Sequence, residues 1–268
     1  MISEVISKTQ FLRSLTIQIN VIKALILREI ITRYGRNNIG FLWLFVEPMS
    51  LTLLISLIWF FFKVNAVSNL NIVAFILTGY PMVMMWRNSS SRAKGAVKAN
   101  QALLYHHNIR ILDVVYARIF LEMIGASAAQ IFIIIIFIFL RLISIPSDPF
   151  YMLCAWGLMC WFSLGLGLII FVLSARFEAF DKIWGTLRFM LIPISGAFFW
   201  VDTFPNEIRS LLLFLPPIHG TEMFRYGYFG SSVTTHESIS YLILCNIVLL
   251  FIGLTLVKIN ENHILEEE

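Results

Sequence analysis

In the stretch RYGRNNIGFLWLFVEPM, residues 33–49, a basic segment runs into an apolar one that carries Glu47 directly before Pro48. A carboxylate in hydrocarbon is costly enough to be a functional candidate by default. Proline removes the donor that would have bonded one turn back. Glu47 could cap exposed amides, contact a polar substrate or take up a proton, and capping the loosened turn is the favoured reading. Arg118 and Glu122 stand four residues apart, the spacing at which side chains meet on one helix face. Pairing with each other is their simplest role; an ion or proton relay is the alternative.

Other reactive residues form no recognisable site. His106 and His107 are adjacent, without a carboxylate cluster, and neighbours at i and i+1 do not face each other on a helix, so no metal is expected. Cys154, Cys160 and Cys245 lie in apolar runs without paired spacing and read as small packing residues. There is no GxSxG elbow, no HExxH and no GxxxxGK[ST] loop, so the chain cannot by itself hydrolyse ATP through a phosphate loop. No Ser, His and Asp set stands out, which counts against an intramembrane acyltransferase or protease. GLG at 165–167 and GASAA at 125–129 are small-residue runs suited to close helix packing.

The elements that must carry these residues follow from composition. Of 268 residues, 59% are hydrophobic and 13% charged, against roughly 45–50% and about 25% in soluble domains; the mean hydropathy is +0.82. The chain reads as an all-α integral membrane protein. A formal charge of +4 belongs first to topology, so nucleic acid is not an expected partner. Basic residues interrupt the first forty positions, so no cleavable signal peptide is expected.

Apolar windows at 40–62, 72–86, 119–140, 150–175, 183–201 and 239–257 give six expected spans. The second contains Pro81, which a bundle tolerates where neighbours satisfy the freed carbonyl. Six Lys and Arg fall in residues 1–39, five between Arg87 and Arg110, and three between Arg176 and Arg188. The opposite side has only Lys63, Arg141, Arg209 and Arg225. The basic side is therefore cytoplasmic, with both termini on it. Expected boundaries are a cytoplasmic segment over 1–39, a membrane domain over 40–257 and a short tail over 258–268.

Three segments are not simple spans. Residues 204–230 contain Pro216 and Pro217, which break the helix and predict two short helices dipping in from outside and returning. Non-helical backbone at that depth must be enclosed by protein or line a wet cavity. In residues 10–33, Phe11, Leu15, Ile19, Ile22, Ile26 and Ile30 form one stripe, so an amphipathic helix on the cytoplasmic membrane face is expected, with docking on a soluble partner as the alternative. Between spans two and three, Ala93, Ala96, Val97, Leu103 and Leu104 share one helical face and Lys94, Lys98 and Gln101 another. A helix over about 93–105 could enter a partner's cleft or cap its own bundle.

Aromatic residues make up 15% of the chain. Trp43, Trp86, Trp156, Trp161, Trp184 and Trp200 are mostly expected to anchor at membrane interfaces, while Phe198, Phe199 and Trp200 could line a conduit in which sugar rings stack.

LREIITRYGRNNIGFLWLFVEP (27–48), GAVKANQALLYHHNIRILDVVYARIFLE (95–122) and LPPIHGTEMFRYGYFG (215–230) together resemble the membrane subunit of Gram-negative capsular polysaccharide ABC exporters of the ABC-2, Haemophilus-like type. The likeness follows the order and spacing of the whole chain. It implies a homodimer of six-span subunits in the bacterial inner membrane, paired with a separate ATPase that holds ATP and magnesium. This chain would bind no cofactor itself. The implied substrate is a lipid-linked capsular polysaccharide, with an O-antigen or other glycoconjugate as the alternative, and a periplasmic co-polymerase or adaptor would carry the polymer onward. An ion-coupled carrier is the less favoured function.

The resemblance further implies that Ala99, Asn100, Gln101, Leu103, Leu104 and Tyr105 belong to the coupling helix seated in the ATPase. It implies a periplasmic re-entrant helix pair before the last span, carrying Pro216, Pro217, Glu222, Arg225, Tyr226 and Tyr228. Arg87, Arg92, Lys94 and Lys98 form a basic cytoplasmic rim able to attract an acidic glycan or its phospholipid anchor; positive-inside topology alone also accounts for them.

Overall fold

The computed structural model describes residues 2–34, 46, 49–55, 57, 58, 61, 70–104 and 109–266. Glu47, Pro48, Tyr105, His106 and His107, with most of the first expected span, lie outside the described residues. Among the described residues all regular structure is helical. The helices are α1 (Ile2–Tyr34), α2 (Ile72–Ala93), α3 (Gln101–Leu104), α4 (Ile111–Phe139), α5 (Pro149–Arg176), α6 (Glu178–Ile194), α7 (Asn206–Leu212), α8 (Pro216–Phe229) and α9 (Ile239–Glu266).

Local chemistry sets their ends. Asn71 caps α2, its Oδ1 accepting from Val73 N at 2.9 Å and Ala74 N at 3.1 Å. Asp148 caps α5 by accepting from Tyr151 N at 2.9 Å, with Pro149 at the first helical position. At the far end of α4, Leu142 N donates to Phe137 O at 2.9 Å and Arg141 N to Ile138 O at 3.0 Å. That pattern is a Schellman stop, with Arg141 at φ 57° in the left-handed position.

By length and composition, Ile111–Phe139, Pro149–Arg176 and Ile239–Glu261 can each cross a membrane. α5 lies at the centre and packs on α2, α8 and α9, while α1 runs along α4. α5 and α9 approach closely because each turns a glycine toward the other at the crossing. A Cβ on Gly165 would stand 3.0 Å from Leu250 N, and one on Gly253 would stand 2.8 Å from Leu168 Cβ. In the half of the bundle beside α1, Leu25 packs with Ala93, Ala96, Val97, Ile119 and Phe171.

Several expectations need correction. The helix expected over 183–201 begins at Glu178 and stops at Ile194. Its 17 residues span about 25 Å at 1.5 Å each, short of the roughly 30 Å hydrocarbon core. Gly196 at φ 82° turns the chain out of the helix, leaving Phe198–Trp200 in a non-helical connection. The amphipathic helix expected over about 93–105 is broken as well. α2 runs on to Ala93, Gly95 at φ 65° turns the chain, and a 3-10 turn over Lys98–Asn100 precedes the short α3. Its apolar set still faces inward: Ala93, Ala96 and Val97 are buried, with Leu103 and Leu104 packed against them. The interfacial role of the tryptophans is also revised, because Trp86, Trp156, Trp184 and Trp200 are all buried in the protein.

Candidate functional site

Two polar constellations stand out in the bundle. The first joins α1 to the segment between α2 and α4. Arg28 on α1 donates from Nη1 to Asn100 Oδ1 at 2.7 Å, and Asn100 Nδ2 donates to the Ala96 carbonyl at 2.9 Å. Glu29, the next residue on α1, forms an ion pair with Arg118 of α4 across 3.0 Å. Arg118 Nη1 also donates to the Gly95 carbonyl at 3.0 Å and lies 3.4 Å from the Arg92 carbonyl. Arg92 at the end of α2 pairs with Glu122 of α4 at 3.6 Å.

These residues, with Thr32, Ala99 and Leu121, line an open polar cavity of about 330 Å³. One turn further out along α4, Gln18 Nε2 donates to Asp113 Oδ1 at 2.9 Å, while Asp113 Oδ2 accepts from Arg110 N at 3.1 Å and fixes the start of α4. Four elements are thus tied together by side chains that range from buried (Asn100, Asp113, Glu122) to partly exposed. Arg92 is half exposed, and Arg118 and Glu29 keep 16% of their side-chain surface. Such pairs exchange readily with solvent yet specify one arrangement of the elements they join.

The second constellation lies at the opposite end. α7 and α8 are two short helices, and Pro216 and Pro217 open the second. From Pro217 to Arg225 every residue of α8 is buried, as are Gly227 and Tyr228. Arg225 is fully enclosed. Its Nη1 donates to the Phe199 carbonyl at 2.7 Å and its Nη2 to the Ala197 carbonyl at 2.9 Å. The guanidinium lies 3.9 Å above the Phe75 ring centroid and 5.6 Å from that of Trp200. Glu222, one turn back, approaches it at 3.8 Å and accepts from His236 N at 3.4 Å. Arg225 supplies the hydrogen bonds that the non-helical carbonyls after α6 would otherwise lack.

The remaining expected residues fall around these two centres. Arg87 is buried, its guanidinium 5.2 Å from the Phe189 centroid on α6. Lys94 pairs with Asp181 at 2.8 Å. Ala99 and Lys98 are exposed, and Gln101, Leu103 and Leu104 are half-buried. Trp200 stacks on Phe75 and donates from Nε1 to the Thr234 carbonyl at 2.9 Å. Phe198 packs against Tyr80 and Phe199 against Phe204. Tyr226 meets Tyr151 edge-on, and Tyr228 donates to the Ser144 carbonyl at 2.8 Å. Among the described residues no group of His, Cys, Asp and Glu could hold a metal.

Sequence reasoning singled out Asn100 and Arg92 and expected Arg118 and Glu122 to pair with each other, but missed Arg28 as the partner of Asn100 and Glu29 as a partner of Arg118. The available signal was an adjacent opposite-charge pair near the end of an amphipathic helix. For Glu222 and Arg225 it was the three-residue spacing.

The ABC-2 type transporter family profile matches residues 20–229, from within α1 to the end of α8. The chain belongs to the ABC-2 type transporter family. Membership makes it a transport protein rather than an enzyme. It is 56% identical over 250 residues to the capsule polysaccharide export inner-membrane protein CtrC of Neisseria meningitidis, covering 93% of this chain and 94% of that one. It is 55% identical over 251 residues to the corresponding protein BexB of Haemophilus influenzae, covering 94% and 95%. The polysialic acid transport protein KpsM of Escherichia coli is 29% identical over 244 residues, covering 91% and 95%. The resemblance carried by the three sequence segments thus extends over most of this ABC-2 chain.

Proposed function

We propose that this chain is the membrane subunit of an ATP-driven exporter that moves lipid-linked capsular polysaccharide across the bacterial inner membrane, working as a homodimer with a separate ABC ATPase. Capsule polysaccharide export is the activity printed in the names of relatives 56% and 55% identical to it. The sequence has no phosphate loop, so ATP and magnesium belong to the partner. A periplasmic adaptor or co-polymerase takes the polymer onward.

In this reading the six spans are residues 40–62, α2, α4, α5, α6 with the residues that follow it, and α9, with both termini cytoplasmic. The α7–α8 pair re-enters from the periplasmic side, and the burial of α8 supports that role. The 1–39 and 258–268 segments flank the membrane domain on the cytoplasmic side.

The observation that carries the mechanism is the wiring of residues 95–104. ATP binding closes the ATPase pair, which presses on Lys98–Leu104 from the cytoplasm. Asn100 passes the displacement to Arg28 of α1, and the Gly95 carbonyl passes it to Arg118 of α4. Motion at the ATPase thereby reaches a long span directly.

The test is capsule export in cells carrying Leu103→Asp together with Leu104→Asp. Both leucines are half-buried against a cluster shared with α4, α5 and α9, so the charges disrupt the seat of the segment on the bundle, and membrane insertion is followed alongside. Loss of ATPase co-purification, with intracellular polymer build-up and intact membrane insertion, is expected. Normal ATPase binding and export would remove this segment from the mechanism.

A further inference from the structure

α4 and α5 leave between them a groove of about 330 Å³, lined also by Phe224 of α8. Ser127, Gln130, Ile131, Ile134 and Ile135 form one wall and Pro149, Met152, Leu153 and Trp156 the other, with Pro146 at the outer end. The polar groups at its inner end are turned to the protein. Ser127 Oγ donates to the Met123 carbonyl at 2.6 Å and accepts from Trp156 Nε1 at 2.8 Å. Gln130 Nε2 donates to the Leu77 carbonyl at 3.0 Å, and its Oε1 is buried without a partner. What remains accessible is apolar.

The rim residues Ile131, Ile135 and Leu153 are 59%, 59% and 66% exposed, on helices long and apolar enough to cross a membrane. The medium against them is therefore hydrocarbon. From Ser127 to Ile135 the groove follows eight residues of α4, about 12 Å at 1.5 Å each. One leaflet contributes half of a hydrocarbon core of about 30 Å. The groove thus fits within a single leaflet.

The connection that brings Pro146 to its outer end also carries a charge of the right sign. Arg141 is the one cation in the connection between α4 and α5, and Asp148, the one acid, is occupied in capping α5. A guanidinium there faces the headgroup level, where a phosphate is its natural partner.

We propose that this groove holds one acyl chain of an outer-leaflet phospholipid whose phosphate meets Arg141. The site rests on the outward direction of α4 but not on the identity of the exported polymer. A lipid held there packs against Phe224 and links the membrane to the buried helix α8.

The full-length chain, reconstituted in nanodiscs with its ATPase, is illuminated in the presence of a phosphatidylglycerol carrying a diazirine in its acyl chain, and adducts are mapped by peptide mass spectrometry. The internal control is the face of α9 bearing Leu244, Ile247 and Phe251, which are similarly exposed at 59%, 51% and 70%. Adducts are expected to be several-fold denser on the groove walls than on that face. Ile134→Phe, which fills the groove, should bring them down to the control level, and Leu153→Trp serves as a second filling variant. Arg141→Gly keeps a left-handed turn that glycine adopts without strain and removes the charged side chain, so it should lower the yield while leaving the fold intact. Equal labelling of the groove and the α9 face in the wild type, or unchanged labelling in a folded filling variant, overturns the proposal.

Discussion

The two polar centres of this molecule use the same chemistry under opposite conditions. Around Arg118 the ion pairs are partly exposed and border an open cavity, and they join four separate elements. Around Arg225 the guanidinium has no exposed surface, lies on two aromatic rings and is committed to two backbone carbonyls. In the first case water competes for Arg92, Arg118 and Glu29, so their contacts can open and reclose at little cost, while Asn100 and Glu122 stay buried. In the second, an opened contact leaves a buried charge without compensation. The Arg118 centre suits the displacement proposed for it, and the Arg225 centre is built to hold still.

Breaking the Arg225 centre should have the largest effect. Arg225→Met removes the donor for Ala197 and Phe199 and leaves Glu222 buried with a lost partner. A cost of about 3–5 kcal/mol is expected for breaking such a pair, read as loss of folded protein in detergent thermal-unfolding assays. Unchanged stability would mean that water reaches this pocket and that the two centres are alike. Gly79→Ala should act on the same point from α2, since a Cβ there would lie 2.7 Å from the Ala197 carbonyl and 2.8 Å from Arg225 Nη2. Overpacking of this kind costs about 1–3 kcal/mol, and the same assay should report a drop smaller than that of Arg225→Met. Arg118→Gln should have the smallest stability effect, about 1 kcal/mol, but a large functional one, with ATP hydrolysis retained and polymer export lowered. Equal losses of stability and export would make the Arg118 centre merely structural.

The sequence announced these centres unevenly. The cores of α4, α5 and α9 were legible because twenty or so apolar residues in a row leave few alternatives. Their helices nevertheless run past the apolar windows, as α9 does from Val257 to Glu266, since a helix does not end where hydrophobicity does. The stop after Ile194 was not legible. Hydropathy counts side chains, and the run Ala197–Val201 is as apolar as a span, yet its backbone turns at Gly196 to put Trp200 on Phe75. The same limit hid the role of Arg225, whose main partners are carbonyls that have no sequence signature. Tryptophans that read as interfacial anchors proved buried because they fill space between helices, and pattern alone does not distinguish the two uses. In the segment over 93–104 the apolar residues did face inward as their spacing implied, although Gly95 and a 3-10 turn replace the continuous helix.

The central claim is that residues 95–104 drive α1 and α4 through the Arg28–Asn100 and Glu29–Arg118 contacts. The most direct measurement replaces the first of these with a covalent one. In a background with Cys154, Cys160 and Cys245 changed to alanine, Arg28→Cys with Asn100→Cys removes the 2.7 Å hydrogen bond, and ATP-dependent polymer export is followed in vesicles before and after a short bifunctional thiol cross-linker. Export should fall in the uncross-linked pair while ATP hydrolysis continues, and recover when the two positions are bridged. Export that is normal without the bridge, or abolished by it, would contradict the account.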